Sequence, residues 1–320
     1  MAVFDIDHLV RELDAIRTAW RDAQHRDRAP QAREFPSREA LARIAGQFKR
    51  ALFPMRLGPD DMRHESENFY VGYTLDNALH DLLKQIRLEL RYGARHAEDR
   101  DDAAIERQAL ELADQFSRAL PDIRRTLDTD VLAAYRGDPA ARSVDEVLLC
   151  YPGVHALIHH RLAHRLYQLG LFLLARIVAE IAHGETGIDI HPGAQIGAGC
   201  FIDHGTGVVI GETAQLGQQV RLYQAVTLGA KRFTEDADGH LEKGQPRHPI
   251  VEDGVVIYAG ATVLGRITLG KGATIGGNVW LTEDVPPGAF ITQAGTQRVP
   301  DHHDAFINPS HPQPPRSIYS

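Results

Sequence analysis

The chain has 320 residues, of which 43% are hydrophobic and 24% charged, a balance typical of a globular protein with room for two domains. Its net charge of −8 disfavours a nucleic-acid-binding surface, and no apolar segment is long enough to span a membrane. Cys150 and Cys200 make no disulfide framework, and the N-terminus lacks the basic and then apolar pattern of a signal peptide. We therefore expect a cytoplasmic protein that binds neither nucleic acid nor membrane.

Residues 1 to about 183 are predicted to be α-helical. Leu9 to Trp20 carries an apolar stripe, and Ser37 is a suitable N-cap for a helix that ends near Leu52. Residues 75–90 give the strongest amphipathic pattern of this half. The later helical segments are predicted at 103–119, 121–136 and 152–182, with a turn at 137–139.

Aliphatic residues recur every six positions in the second part of the chain. They are Ile190, Ile196 and Ile202, then Ile210, Leu216, Leu222 and Leu228, then Val251, Ile257, Val263, Leu269, Ile275 and Leu281. This period is typical of a parallel β-helix, in which three hexapeptides form one triangular coil with the aliphatic side chains inside. The sequence therefore predicts an α+β fold with an α-helical domain at 1–183, a β-helix at 184–290 and a C-terminal tail at 291–320.

Two irregularities interrupt the hexapeptides. The step from Ile202 to Ile210 is eight residues, which places two extra residues near His204. From about 230 to 249 the repeat disappears, which predicts a long loop ejected from the coil. Such loops are more often functional than not, although a tolerated surface insertion is the simpler alternative.

Asp189 and His204 are a candidate catalytic pair. They are 15 residues apart, and a full coil has about 18 residues, so they should lie close together on adjacent coils. A carboxylate orients an imidazole, which can then take a proton from an alcohol that attacks a carbonyl. The alternative is a surface histidine near a solvated aspartate.

Four further residues describe a site for a zwitterion. Arg247, next to His248 at the end of the ejected loop, is suited to hold a carboxylate by two parallel hydrogen bonds. Asp138 and Asp203 could bind an amino group. Taken singly, each could equally be an unrelated loop charge.

Several segments resemble serine O-acetyltransferases. They are Gly137-Asp-Pro-Ala, Gly153-Val-His-Ala-Leu, Ile188-Asp-Ile-His-Pro-Gly-Ala-Gln-Ile-Gly, Ile202-Asp-His-Gly-Thr-Gly-Val-Val-Ile-Gly-Glu-Thr-Ala, Val226-Thr-Leu-Gly and Arg247-His-Pro. The hexapeptides alone would indicate only a superfamily of acyltransferases, whereas the Asp-His-Gly-Thr-Gly element and its spacing to Arg-His-Pro are more specific. The resemblance covers roughly 138–295 and implies a left-handed β-helix that transfers the acetyl group of acetyl-CoA to the hydroxyl of L-serine.

The resemblance also implies a role for each candidate residue. His204 would be the general base with Asp189 as its partner; Asp138, Asp203, Arg247 and His248 would hold serine; Gly229, Ala259 and Gly277 would line the acetyl-CoA groove. Acetyl-CoA is the implied co-substrate, with no permanently bound cofactor and no metal. The transfer would be direct. Cys200, four residues before His204, is the alternative nucleophile, although we favour a packed thiol.

The implied assembly is a homotrimer or a dimer of trimers, with sites between adjacent β-helices. L-cysteine, which differs from serine by one atom, could occupy the same site as a feedback inhibitor. The loop at 230–246 is longer than in the shorter relatives and resembles that of a longer subgroup. The C-terminus reads Ser-Ile-Tyr-Ser instead of ending in the isoleucine that docks into cysteine synthase, so that partner is not assumed.

Other functions are compatible with parts of the pattern. The acceptor could be a sugar or a related amino acid, and the chain could be a catalytically silent scaffold. A zinc carbonic anhydrase can share this fold but needs three histidines around one metal. His155, His159, His160 and His164 lie at helical spacing that suits a metal, although an ordinary helix explains them better.

Overall fold

A computed structural model of the chain describes residues 4–23, 35–94, 101–231 and 244–293. Most of the predicted ejected loop, at 232–243, lies outside the described residues. So does the tail from 294 onwards, including the C-terminal residues that bear on cysteine synthase.

The helices of the described chain come before all of its strands. They are α1 (Ile6–Ala23), α2 (Arg38–Leu52), α3 (Pro54–Leu57), α4 (His64–Gly93), α5 (Asp102–Gly137), α6 (Val144–Cys150), α7 (Pro152–Gln168) and α8 (Phe172–Thr186). The N-cap prediction is confirmed, because the Ser37 hydroxyl accepts a hydrogen bond from the amide of Ala40 at 3.2 Å. Within the described residues, no helix combines the length and apolarity needed to cross a bilayer.

Two predictions about helices were wrong. The segments 103–119 and 121–136 form one helix, α5, with Pro121 inside it. The side chains before the proline and those after it enter the same hydrophobic core: Phe116 and Leu120 before it, Ile123 and Leu127 after it. Their burial outweighs the backbone hydrogen bond that the proline removes, so the helix continues. The segment 152–182 is conversely two helices, since Gly170 adopts a positive φ of 80° between α7 and α8.

The second half of the chain is a β-helix of very short parallel strands, whose three sheets form the sides of a triangular prism. They are β1 (Asp189–Ile190), β2 (Gln195–Ile196), β3 (Phe201–Ile202), β4 (Val209–Ile210), β5 (Gln215–Leu216), β6 (Arg221–Leu222), β7 (Thr227–Gly229), β8 (Ile250–Val251), β9 (Val256–Ile257), β10 (Thr262–Leu264), β11 (Thr268–Leu269), β12 (Thr274–Ile275), β13 (Trp280–Leu281) and β14 (Phe290–Ile291). The first sheet has the order β1-β4-β7-β10-β13, the second β11-β8-β5-β2 and the third β14-β12-β9-β6-β3. The predicted fold class, an α-helical region followed by a left-handed parallel β-helix, is confirmed.

The register of the strands reproduces the hexapeptide pattern. The repeating aliphatic residues from Ile190 to Ile275 are all buried. Val209 pairs with Thr227, 18 residues on, as a regular coil requires. Asp189 instead pairs with Val209, 20 residues on. The two extra residues predicted near His204 are therefore present, and they bulge out at one edge of the prism.

A buried ion pair anchors the helices on the first coil. Asp130 of α5 is fully buried and accepts hydrogen bonds from the Arg161 guanidinium at 3.1 and 3.2 Å. Its carboxylate also accepts from the amide of Cys200 at 2.9 Å, and Arg161 donates onward to the carbonyls of Ile196 and Gly197. Because each charge is paired and hydrogen-bonded, the contact fixes the orientation of α5 and α7 on the prism.

Candidate active site

His204 lies on the bulge at the prism edge between the third and first sheets. Its backbone has a positive φ of 58°, which is unusual for a residue other than glycine, and Gly205 follows with a φ of 81°. The amide of Gly205 donates to the carbonyl of Asp203 at 2.6 Å, which closes this tight turn. The result is an imidazole with a side-chain exposure of 70%, held out from the prism, while the neighbouring Asp203 side chain is only 13% exposed. Gln219, Ala225 and Asn278 adopt the same backbone conformation at other corners of the β-helix, so the exposed ring distinguishes His204 and the backbone angle alone does not.

Two aspartates lie near the His204 ring. Its Nε2 atom is 3.9 Å from Oδ1 of Asp203. Asp138 directly follows α5, and the hydrogen bond from the Tyr151 hydroxyl lowers the pKa of its carboxyl. The hydrogen bond from the amide of Ala140 and, to a smaller degree, the charge of His204 lower this pKa further. Asp138 is therefore ionised beside the histidine.

Asp189 begins the coil that ends at the His204 bulge, and not an adjacent coil as predicted, and no hydrogen bond or ion pair joins it to His204 within the described part of the chain. Its amide donates to the carbonyl of Val208 at 2.9 Å, so β1 runs beside the segment that leaves the bulge. Its carboxylate lies within 4.8 Å of ligand atoms of Glu180 and His183 at the end of α8. The pairing of Asp189 with the His204 imidazole stays a prediction.

Arg247 lies at a different prism edge, between the first and second sheets. Its guanidinium donates to Oε2 of Glu212 at 2.7 Å, and the hydroxyl of Tyr167 donates to the other carboxylate oxygen at 3.0 Å. Partial burial would raise the pKa of Glu212, but these two hydrogen bonds lower it below its usual value. Glu212 is thus a fixed anion that orients Arg247.

His248 is a buried neutral ring at this second edge. Burial, assisted by the charge of Arg247, lowers the pKa of His248 to about 4. Its Nδ1 atom accepts a hydrogen bond from the amide of Thr213 at 3.1 Å and lies 2.9 Å from the Thr213 hydroxyl. A Cβ on Gly211 would lie 2.0 Å from the ring, so only glycine fits at that position.

The predicted acetyl-CoA residues are divided between the same two edges. Ala259 and Gly277 stack on adjacent coils at the His204 edge, where the amide of Asn278 donates to the carbonyl of Ala259 at 2.9 Å. Gly229 ends β7 at the Arg247 edge, where the long loop leaves the coil. We call the first the histidine edge, with Asp203, His204, Ala259 and Gly277, and the second the arginine edge, with Gly229, Arg247 and His248. The first sheet separates them, so one chain does not bring them together.

The sequence analysis did not identify several residues that support the two edges. Tyr151 holds Asp138 at the histidine edge, and Arg221 packs there across the ring of Tyr223. Tyr167 and Glu212 hold Arg247 at the arginine edge. The hydrogen bonds of Tyr151, Tyr167 and Glu212 join residues 13, 45 and 35 positions apart, so no local spacing could have identified them.

The histidines of α7 contact other residues either by hydrogen bonds or by ring packing. His155 lies 3.3 Å from the Lys49 ammonium through Nδ1 and 2.5 Å from Glu185 through Nε2, so both of its ring nitrogens have partners. His155, His159 and Glu185 have ligand atoms within 4.8 Å of one another. Among the described residues, no such metal-competent group contains the three histidines that a carbonic anhydrase needs.

Known proteins resemble the chain in sequence and in structure. It is 58% identical over 261 residues to a plasmid serine acetyltransferase of Synechococcus elongatus, and this alignment covers 81% of this chain and 82% of that protein. It is 52% identical over 162 residues to a serine acetyltransferase of Mycobacterium tuberculosis, covering 51% of this chain and 67% of that one. No protein-family model matches the chain.

Solved structures show the same relationship. Serine acetyltransferase isoform 3 of Entamoeba histolytica, in complex with cysteine, aligns with a TM-score of 0.66 and 36% identity over 81% of this chain and 84% of that chain. Serine acetyltransferase of Neisseria gonorrhoeae, in complex with serine, aligns with a TM-score of 0.52 and 28% identity over 79% of this chain and 96% of that chain. The chain therefore belongs to the serine acetyltransferase family and is an acyltransferase that uses acetyl-CoA as co-substrate.

Proposed function

We propose that this enzyme acetylates the hydroxyl of L-serine by direct transfer from acetyl-CoA, with His204 as the general base. The observation that carries the proposal is the exposed His204 imidazole, held on a strained bulge beside the carboxylates of Asp138 and Asp203. An imidazole is the side chain best suited to remove a hydroxyl proton near neutral pH. The two carboxylates supply the negative charge that an ammonium group needs. The family assignment supports serine as the acceptor.

In this mechanism His204 takes the Oγ proton of serine as that oxygen attacks the thioester carbonyl. A C–O bond forms, and the carbonyl electron pair moves to the oxygen, where backbone N–H groups would stabilise the oxyanion. The intermediate collapses by breaking the C–S bond. The departing CoA thiolate then receives the proton from the His204 imidazolium. Asp189 would orient the imidazole from the start of the same coil.

The substrate's charged groups match the two edges. Asp138 and Asp203 at the histidine edge would bind the ammonium group. Arg247 would bind the carboxylate, with His248 as a neutral neighbour. Arg247 can accept this role while it stays bonded to Glu212, because a guanidinium offers five N–H donors in a fixed fork.

The separation of the edges implies that the site is shared between subunits. The histidine edge of one prism would face the arginine edge of the next, as in a closed ring of three copies. Gly229 from one copy and Ala259 and Gly277 from its neighbour would then line one acetyl-CoA groove. We propose the homotrimer as the minimal active unit, with a dimer of trimers as the larger alternative.

L-cysteine would act as a feedback inhibitor at the same site. It carries the same ammonium and carboxylate as serine, and a relative of this chain has been solved in complex with cysteine. Inhibition should be competitive with serine in steady-state kinetics, and a non-competitive pattern would rule out the shared site.

The proposed function is tested by the release of free thiol from acetyl-CoA with and without L-serine. We expect serine-dependent release by the wild type, and a loss of about 10²–10⁴-fold in kcat for His204→Ala, because general-base catalysis contributes that much. His64→Ala, which changes an exposed histidine on α4, is the matched control and should keep full activity.

Release only with another hydroxyl or amine acceptor would contradict serine as the substrate. Full activity of His204→Ala would contradict the general-base role. If no acceptor supports release, zinc analysis of the purified protein would test the carbonic anhydrase alternative.

A further inference from the structure

Asp138 is held in place from both sides of its carboxylate. Oδ1 accepts a hydrogen bond from the amide of Ala140 at 2.8 Å, and Oδ2 accepts one from the hydroxyl of Tyr151. A carboxylate has about four acceptor positions, so one lone pair on each oxygen remains for a ligand. The two hydrogen bonds therefore fix the plane of the carboxylate without consuming its capacity to bind an ammonium group.

A second contact holds the backbone just before Asp138. The guanidinium of Arg221, on strand β6, donates to the carbonyl of Gly137. The same guanidinium lies 4.9 Å from the ring centroid of Phe201 and 5.2 Å from that of Tyr223. These two rings position Arg221, since a planar cation is attracted to aromatic faces. Arg221 thus joins the end of α5 to the prism.

The approach of α5 to the prism leaves no spare room at this contact. A Cβ on Gly137 would lie 2.8 Å from Cδ1 of Phe201 and 3.3 Å from the Arg221 guanidinium. The absence of a side chain at Gly137 therefore lets the end of the helix rest directly on β3 and β6. Asp138 is consequently delivered to the histidine edge by a helix that belongs to a different hydrophobic cluster.

We propose that Tyr151 and Arg221 are positioning residues for the acceptor, which hold Asp138 where it binds the substrate's amino group. This inference rests on the proposed function, because it takes Asp138 as the ammonium-binding residue. Neither side chain needs to touch the reacting atoms. Both act through Asp138, so they set the affinity for an amino-bearing acceptor and leave the proton transfer at His204 alone.

We call the hydrogen bond from Tyr151 to Asp138 and that from Arg221 to Gly137 the clamp. Other charged and titratable groups around Asp138 do not replace it. His204 and Arg221 exert their charges on the carboxylate, and Tyr223 and Asp203 lie near enough to interact electrostatically with this cluster. Tyr151, by contrast, donates a side-chain hydrogen bond to Asp138, and within the described residues no other side chain does. Removing the Tyr151 hydroxyl is accordingly the smallest change that releases the carboxylate.

The test is a steady-state comparison of Tyr151→Phe with the wild type. The KM for L-serine should rise about tenfold, the order expected for losing one charge-assisted hydrogen bond, while kcat and the KM for acetyl-CoA stay unchanged. Tyr135→Phe, which changes a more exposed tyrosine on α5, is the control and should have wild-type constants. Arg221→Met, which keeps a long apolar stem, should also raise the KM for serine selectively.

A double-mutant cycle separates positioning from a general structural effect. In an Asp138→Ala background, the further change Tyr151→Phe should leave the KM for serine as it is, because the hydroxyl then has nothing to hold. Acetylation of 3-hydroxypropionate, which lacks the amino group, should be equally efficient in the wild type and in Tyr151→Phe.

Three results would overturn the proposal. An unchanged KM for serine in both Tyr151→Phe and Arg221→Met would show that Asp138 needs no clamp. Additive effects with Asp138→Ala would show that Tyr151 acts elsewhere. A wild type without any serine-dependent turnover would refute the proposed function and the clamp with it, whereas normal wild-type turnover combined with either of the first two results refutes the clamp alone.

Discussion

At the scale of single residues, Cys200 offers a clear test of direct transfer. The thiol is fully buried, and burial, with the nearby charge of Asp130, raises its pKa to about 12. A thiol of this kind is almost never a thiolate at neutral pH and has no access to a thioester. We expect Cys200→Ala to keep kcat/KM within about twofold of wild type and to lose about 1 kcal/mol of stability.

Cys150, which is exposed, provides the control, and Cys150→Ser should be silent in the same assay. The direct-transfer mechanism would be wrong if Cys200→Ala were inactive and mass spectrometry found an acetyl group on Cys200 of the wild type.

The candidate site residues could be identified from sequence only where they lie in local motifs, and their roles stay predictions. Asp203, His204, Arg247 and His248 stand in short segments with a defined spacing. Their supporting residues do not. Tyr167 is 45 residues from Glu212, and Arg221 is 84 residues from Gly137, so these hydrogen bonds exist only once the coil and the helices have packed.

At the scale of elements, helix α7 carries a buried source of acid sensitivity. His160 is 2% exposed, and neither ring nitrogen has a hydrogen-bond partner among the described residues. Burial holds the pKa of His160 well below its usual value, with Arg161, His164 and His191 as charged or titratable neighbours. Burial likewise lowers the pKa of the adjacent His159 to about 4.

The direction in which pH changes the folding stability follows from proton uptake by these two histidines. Below about pH 6.5 the unfolded chain binds protons on these rings, whereas the folded chain does not until the pH is far lower. Stability is therefore complete above about pH 6.5 and falls as the pH decreases towards about 4. We expect His160→Leu to move the acid-unfolding midpoint to lower pH, as followed by circular dichroism.

The same substitution should also raise the Tm at pH 7, because it removes a buried polar group without partners. His80→Gln, at an exposed position on α4, should leave both values unchanged. An acid midpoint shared by His160→Leu and wild type would mean that the ring is hydrated or paired in solution.

The strands were predicted more accurately than the helices, for a physical reason. Each hexapeptide places its aliphatic residue inside the coil independently of the rest of the molecule, so the period alone reports the structure. Helix ends depend on tertiary packing instead. Pro121 is tolerated because both halves of α5 enter one core, and α7 and α8 separate at Gly170 although the apolar pattern runs on. The short helices α3 and α6 gave no periodic signal of their own.

At the scale of the whole molecule, two hydrophobic clusters meet at a seam that also forms part of the candidate site. Phe201 of the prism packs with the helical cluster, while Ala156 and Leu157 of α7 pack with the prism cluster. Asp138 reaches the histidine edge along this seam. The arginine edge is also joined to the helices, because the Tyr167 hydroxyl of α7 donates to Glu212 there. The proposed domain boundary at residue 183 stays a prediction. Because each hydrophobic cluster includes residues from the other half of the chain, we expect the helices and the prism to fold as one unit.

We propose that the acetyltransferase site forms between neighbouring copies of the chain, with His204 from one and Arg247 from the next. Subunit mixing distinguishes this arrangement from a site within a single chain. His204→Ala and Arg247→Ala should each be inactive alone, since every site then lacks one group. Co-expressed and purified together by two different tags, which removes trimers of a single kind, they should regain about one third of wild-type serine-dependent thiol release, because a mixed trimer has one intact site out of three. Such recovery would place one intact site between the two kinds of subunit. Activity no greater than that of the separate variants, in verified mixed oligomers, would contradict the shared site.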